Sequence, residues 1–384
     1  MSGGALSGLL VADFSRVLAG PYATMLLADL GAEVVKVERP GTGDDTRAWG
    51  PPYAPGGQAT YFLGVNRNKR SIALDLGDEA DLQVARALAA RADVLVENFR
   101  PGTMDRLGLG HDALRALNPG LVYCSITGFG SGAGAGLPGY DLIAQAVGGL
   151  MSVTGEPDGP GTKAGVALVD VITGLHAALG ILAALRHRDH TGEGGHLTGS
   201  GQRVEVSLLS SLLSALTNHS SAYAAAGVVP KAMGNRHPSI VPYEVFQAAD
   251  RPLVIAAGND RQFQALCAVL DRPGLAADPR YATNAGRVAA RVELVAALDD
   301  ALGERPADEW FELLTAAGVP CGPINDLAAA FALAEELGLE PSVRLDGAGQ
   351  VASPVRLSAT PPSYRRPPPE LGEDDAWVRE ILGP

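Results

Sequence analysis

Covalent and metal cross-links are largely closed to this chain. Its 384 residues include three cysteines, Cys124, Cys267 and Cys321, odd in number, far apart and without CxxC spacing. That excludes a disulfide framework and a CxxC redox pair, and reads as buried free thiols in a reducing cytosol. The seven histidines form no HExxH or comparable ligand pattern, so no metal site is expected. Positive charge is scarce as well: 30 Lys and Arg stand against 43 Asp and Glu, a net charge of −13. Such a chain repels nucleic acid, and an anionic ligand would need a local cluster of Arg, Lys and backbone N–H groups. No uninterrupted apolar run reaches the roughly 18 residues of a membrane span; the greasiest stretch, GLHAALGILAAL, ends in RHRDH. The N-terminus, MSGGALSGLLVADFS, has no basic region and soon meets Asp13, unlike a secretory signal. The expected setting is cytoplasmic, with no membrane and no nucleic-acid partner.

What is present is an ordinary globular composition, 46% hydrophobic and 19% charged, with enough residues for two domains. LLVAD (9–13) reads as a short buried strand and SRVLAG as a loop. PYATMLLADLGA reads as a helix with Pro21 at its first position and Gly31 at its end, and AEVVKVE as a second strand. This β-loop-α-β unit has the ~30-residue size of a nucleotide-binding half. Its first turn lacks GxGxxG, so despite Glu38 at the end of the second strand it is read as Rossmann-like but not as an NAD site. RSIALDL, DVLVENF and LVYCSITGFG continue as strands, and EADLQVARALAARA and TMDRLGLGHDALRALN as helices, the pattern of an α/β domain with a mostly parallel sheet.

GSGAGAGLPGYD is a glycine-rich loop, and DLIAQAVGGLMSVTG a helix interrupted at Gly148 and Gly149. RHRDHTGEGGHLTGSGQ reads as a surface turn before the strand RVEVSL, and SSLLSALTNHSSAYAAAG as a connecting helix. From about 240, VPYEVFQAAD and PLVIAAG suggest a strand pair and DRQFQALCAVL a helix. The tail has the extended piece VRLSAT, a proline-rich stretch and the short amphipathic helix AWVREIL, and needs another domain or subunit to be ordered. The expected division is a large Rossmann-like domain at 1–200, a linker helix at 201–225, a small α+β domain at 226–325 and a C-terminal segment at 326–384.

One carboxylate interrupts the oily stretch GVALVDVITGLHAALGILAAL. Read alone, Asp170 is a helix N-cap, accepting hydrogen bonds from first-turn N–H groups and worth about 1 kcal/mol. A helix N-terminus also stabilises a carboxylate or an oxyanion, so capping and chemistry are compatible.

Several phrases, in order over about 15–325, resemble one family. They are DFSRVLAGPYATMLLADLGAEVVKVERPGTGDDTR, NRNKRSIALDL, ADVLVENFRPGTMDRLGLG, LPGYDLIAQAVGGLMSVTG, GVALVDVITG, TGSGQRVEVSLL, GNRHPSIVPYEVF, AGNDRQFQALC, DPRYATNAGRV and AGVPCGPIND. The chain is identified as resembling the class III CoA-transferases, a family that also contains acyl-CoA racemases. The resemblance implies a Rossmann-like large domain, a small domain and a C-terminal segment that returns to the large domain, in an interlocked homodimer. It implies acyl-CoA and a carboxylic acid as substrates, with no tightly bound cofactor.

By the same resemblance VDVITG carries the catalytic aspartate, Asp170, which would attack an acyl-CoA thioester. Tyr140 is the second candidate. Racemases of the family have a histidine where this chain has Gly139-Tyr140-Asp141. A tyrosine of pKa near ~10 is a poor base, yet it can donate a hydrogen bond to an anhydride or thioester carbonyl. CoA contacts are carried over to Val17, Leu18, Ala19, Arg39, Leu74, Asn98, Phe99 and Arg106. Lys69 and Arg70 are read either as phosphate partners or as solvated surface. His237 either lines the acyl cavity or is a satisfied linker histidine.

The chain departs from the formyl-CoA branch of the family at several positions. Gly77 and Pro138 replace lysines, Leu18 replaces a glutamine, and Gly258-Asn259-Asp260 replaces a run of glycines. These changes imply a different phosphate grip, a stiffer loop and a specificity other than oxalate. Three functions are therefore weighed: transferase, racemase, and a catalytically silent CoA-binding protein. Tyr140 favours the first.

Overall fold

The computed structural model describes residues 3–191 and 199–383. The chain divides into two compact units. The first comprises Met1–Leu150, Lys163–Val229 and Glu340–Pro384; the second comprises Met151–Thr162 and Pro230–Leu339.

The first unit is built on six parallel strands: β1 (Leu10–Asp13), β2 (Glu33–Glu38), β3 (Lys69–Ala73), β4 (Val94–Glu97), β5 (Val122–Thr127) and β6 (Arg203–Ser207). Their order is 3-2-1-4-5-6. All six arise from the runs expected of strands. The inner strands are covered on both faces, so β1, β4 and β5 read as mostly apolar runs, whereas the edge strand β6, RVEVS, alternates. The chain order reverses between β1 and β4, and ligands of such sheets bind at that reversal, beyond the strands' C-terminal ends.

The helices of this unit are α1 (Ala19–Asp29), α2 (Thr60–Leu63), α3 (Glu79–Arg91), α4 (Thr103–Arg106), α5 (His111–Leu117) and α6 (Asp141–Val147). The unit continues with α8 (Leu168–Thr191), α9 (Leu208–Ala215) and α10 (Thr217–Ala226), whereas the short α7 (Leu150–Val153) falls almost wholly in the second unit. One sheet face packs Val35, Ile72 and Leu95 with Leu82 and Leu88 of α3. The other packs Val34, Val94 and Val96 with Ala23 of α1 and Ala177 and Ile181 of α8.

Three local expectations change. Pro21 is the third residue of α1, not the first; its missing N–H is harmless anywhere in the first turn. TMDRLGLGHDALRALN forms two short helices, because Gly108 takes φ of 68° between them. SSLLSALTNHSSAYAAAG likewise breaks into α9 and α10, at Thr217. In RHRDHTGEGGHLTGSGQ the first residues extend α8, while 192–198 lie outside the described residues. Within α8, Leu168–His190 is long and apolar enough to cross a membrane by length and composition, with a mean hydropathy of 2.0. A count of uninterrupted apolar residues misses it because Asp170 and His176 break the run. Its inner side belongs to the sheet core, through Ala177, Ile181, Ala184 and Leu185.

The C-terminal part of this unit has a hairpin of β10 (Ser342–Leu345) and β11 (Ala348–Val351), and no strand at VRLSAT. Its last helix, α17 (Asp375–Leu382), buries Val378 in the sheet core.

The second unit holds three antiparallel strands, β7 (Tyr243–Gln247), β8 (Pro252–Ala256) and β9 (Cys321–Pro323). Its helices are α11 (Asp260–Val269), α12 (Pro273–Ala277), α13 (Asn284–Ala289), α14 (Arg291–Leu302), α15 (Ala307–Ala316) and α16 (Leu327–Glu336). The core gathers Phe246, Leu253, Phe263, Leu298 and Trp310, whose indole N–H donates to the Leu302 carbonyl at 2.7 Å.

Candidate active site

Two cavities open at the C-terminal ends of the parallel strands. The first, of about 510 Å³, lies beyond β1, β2 and β3 and is lined by Arg39, Leu74 and Phe99, with Arg16, Lys36 and Asp44. The second, of about 390 Å³, lies beyond β1, β4 and β5. It gathers Val17, Leu18, Ala19, Asn98, Phe99, Tyr140 and Asp170. Arg16 and Phe99 line both. Thus nine of the ten candidate site residues line one of two adjoining cavities. The tenth, Arg106, is exposed, donates to the Thr103 hydroxyl at 3.0 Å and lines neither.

Asp170 sits inside the first turn of α8 rather than at its cap. The cap comes from another helix. Asp141, the first residue of α6, accepts the N–H groups of Val169 at 2.8 Å and Asp170 at 3.1 Å. Gln145 holds it from one side at 2.6 Å and takes the Ala164 N–H from the other at 2.8 Å. The N–H groups of Leu168 and Val171 are bonded to the Val166 and Ala167 carbonyls. The N–H groups of the first four residues of α8, Leu168 to Val171, are therefore already bonded, contrary to the expectation of a free helix end.

Burial, followed by the negative charge of Asp141, pushes the Asp170 carboxyl up to about 7. The helix end was expected to hold Asp170 ionised; its donors are instead spent on Asp141. Asp141 is a residue of the candidate site that sequence reasoning did not single out. The GYD phrase was its only signal, and nothing local tied it to a helix that begins 27 residues later. Tyr61 was missed too. Burial, then the charges of Asp170, Asp141 and Asp44, raise its hydroxyl above the usual phenol value.

Tyr140 precedes α6 and is 60% exposed, with its ring on the second cavity. Its place depends on a close backbone approach. A Cβ on Gly139 would come within 2.5 Å of the Gly128 Cα, so both positions need glycine. Asn98 uses its side chain on the protein: its amide donates to the Arg16 carbonyl at 2.7 Å and its oxygen accepts the Arg16 N–H at 3.0 Å. That ties the loop after β1 to the loop after β4 across the chain reversal. Phe99 is held by its N–H, which donates to Glu97 at 2.9 Å.

Lys69 and Arg70 are neither phosphate partners nor solvated surface. Lys69 is buried and paired with Asp13 at 3.0 Å. Arg70 pairs with Glu33 and Asp374, both at 2.6 Å, and stacks on Trp377 at 3.5 Å. Both bases face the strands and the C-terminal segment rather than a cavity. His237 belongs to the second unit, where its Nδ1 accepts the Ser239 N–H at 3.1 Å. Gly258-Asn259-Asp260 forms the capped start of α11: Asn259 accepts the Gln262 N–H at 3.0 Å.

The fold and these cavities define an α/β protein that presents a partly protonated carboxylate beside a nucleotide-sized cavity at the reversal of a parallel sheet. Residues 6–375 match the model of CoA-transferase family III, and the chain belongs to that family. It is an enzyme, a CoA-transferase. It is 43% identical over 380 residues to an acetyl-CoA:oxalate CoA-transferase of Acetobacter aceti, covering 98% of this chain and 95% of that protein. It is 44% identical to a succinyl-CoA:glutarate CoA-transferase of Mus musculus, covering 98% and 86%. A solved CAIB/BAIF family protein from Brucella suis superposes with a TM-score of 0.88 at 41% identity, with all of both chains covered.

Proposed function

We propose that this chain moves CoA from an acyl-CoA to a free carboxylate through covalent intermediates on Asp170. The observation that carries the reading is the placement of Asp170 on a cavity that adjoins a second, nucleotide-sized one. In this reading the first cavity takes the adenosine end, with exposed Arg39 and Arg16 meeting phosphates, and the second takes the thioester. The unit around the six strands is then the Rossmann-like CoA-binding domain.

Ionised Asp170 attacks the thioester carbonyl, forming a mixed anhydride and expelling CoA thiolate. The thiolate attacks the aspartyl carbonyl, releasing the first acid and leaving an aspartyl-CoA thioester. The incoming carboxylate attacks that thioester and expels the thiolate again, giving a second anhydride. Attack of the thiolate on its acyl carbonyl releases the new acyl-CoA and free Asp170. Each step exchanges one acyl bond for another, so no water is consumed. Tyr140 is the donor to the developing oxyanion, since the N–H groups at the start of α8 are already bonded.

Small dicarboxylates are the proposed acids, supported by the oxalate and glutarate in the relatives' names. Oxalate is thereby restored among the acceptors to test. The proposed assembly is the family's interlocked homodimer, a reading supported by the exposed apolar side chains Leu142, Ile143 and Val147 on α6 and Leu175 and Leu179 on α8. Free thiols at all three cysteines are compatible with a cytoplasmic setting. Incubation with acetyl-CoA or succinyl-CoA and a panel of dicarboxylic acids, followed by mass spectrometry, tests the function. Thioester exchange and an aspartyl adduct on Asp170 are expected. Deuterium entering the α-carbon without exchange would replace this reading with a racemase.

A further inference from the structure

The loop that separates the two cavities rests on buried charge. It leaves β1 at Asp13 and passes Ser15, Arg16 and Val17 before α1. Val17 takes φ of 71°. That left-handed conformation is costly for a β-branched residue, so the surroundings must impose it. The Val17 N–H donates to both oxygens of Asp44, at 3.2 and 3.3 Å. Asp44 is buried and pairs with buried Lys36 at 2.8 Å. Lys36 in turn donates to the Ser15 carbonyl at 2.9 Å. One ion pair therefore grips the loop on both sides of Arg16, by a carbonyl before it and an N–H after it.

Asp44 is itself well anchored. It accepts the Thr46 N–H at 3.0 Å and the Thr46 hydroxyl at 2.8 Å, and its own N–H donates to Glu38 at 2.9 Å. Burial alone would raise its pKa; the Lys36 ammonium and the Thr46 donors hold it down at about 2. A buried ion pair is weak evidence for stability, since an apolar pair of the same size packs as well. An apolar pair would have no group for the Val17 N–H or the Ser15 carbonyl. Lys36 and Asp44 line the first cavity, whereas Val17, Leu18 and Ala19 line the second with Asp170.

We propose that the Lys36–Asp44 pair is a positioning device for acyl-CoA, holding Val17 in its left-handed conformation so that the loop walls the Asp170 cavity. The inference rests on the reading that these cavities hold acyl-CoA. It is tested with a double-mutant cycle on Asp44→Ala and Val17→Gly, with coenzyme A as the probe in calorimetry and thermal unfolding as the check on folding. Glycine accepts a positive φ without penalty and so has less need of the anchor. Asp44→Ala is expected to weaken CoA binding about tenfold or more with Val17 present, and less than about threefold with glycine at position 17. Equal losses in the two backgrounds, or no loss in either, would overturn the proposal. Should Asp44→Ala not fold, Asp44→Asn, which removes the charge facing Lys36, runs the same cycle with the same deciding outcome. A wild-type chain that binds no coenzyme A removes the cavity reading itself, whereas normal binding with equal losses removes this inference alone.

Discussion

Two carboxylates at the same end of one sheet, Asp44 buried and Asp170 half-buried, behave in opposite ways. Asp44 meets Lys36 at 2.8 Å, and the ammonium overrides the cost of burial to hold it at about 2. Asp170 has Asp141 for a neighbour, and burial together with that like charge lifts it to about 7. The side chain is the same; the sign of the nearby charge differs. An acid that holds the chain in place is given a counter-charge. An acid proposed to attack a carbonyl is left more basic, and a more basic oxygen is the better nucleophile once ionised.

The contrast can be broken most forcefully at its reactive end. Asp170→Ala is expected to lower thioester exchange by about a thousandfold or more while the chain still unfolds cooperatively. Exchange within tenfold of wild type would show that Asp170 is not the nucleophile. At the structural end, Asp13→Ala leaves buried Lys69 without its carboxylate partner at 3.0 Å, and a loss of about 3–5 kcal/mol in denaturant unfolding is expected. A loss under about 1 kcal/mol would mean that the buried lysines do not need their acids.

The next test follows from the signs. An acid raised to about 7 when folded is easier to ionise unfolded, so it destabilises the fold above that pH, and the penalty fades as pH falls through 7 toward the ordinary carboxylate value. Asp170→Asn should therefore stabilise the protein more at pH 8 than at pH 5, by about 2–3 kcal/mol. Equal effects at both pH values would place the Asp170 pKa near that of an ordinary carboxylate. For Asp44 the sign reverses: its contribution is present at neutral pH and is lost only as pH falls below the ordinary carboxylate value toward 2. The smallest effect is expected at Asp141→Asn, which keeps an oxygen for the Val169 and Asp170 N–H groups but removes the charge. The acidic limb of the pH–rate profile should move to lower pH by a fraction of a unit to one unit. An unchanged limb, or a move to higher pH, would show that the charge of Asp141 does not raise the Asp170 pKa.

Much of the fold was legible from local pattern. Six expected runs became six strands; the inner β1, β4 and β5 are mostly apolar because they are covered on both faces, while the edge strand β6, RVEVS, alternates. The breaks at Gly108 and Thr217 were not legible, since a helix-like period continues across both. Among site residues, loop positions such as Val17 and Arg39 were read through resemblance and do line cavities. Lys69 and Arg70 misled because a basic pair in a short polar phrase looks like surface. Their partners, Asp13, Glu33 and Asp374, come from distant parts of the chain.

Read by itself, the sequence determined the alternation of strands and helices, the family, and a short set of candidate groups, because hydrophobic period and motif order are local and linear. Tertiary structure decided the charge state of those groups. Asp141 caps a helix it does not belong to, Asp44 answers to a lysine on β2, and Asp170 lacks the free helix N–H groups its position promised. Electrostatic energy depends on distance through space and on exclusion of water, and neither is written in the order of residues along the chain.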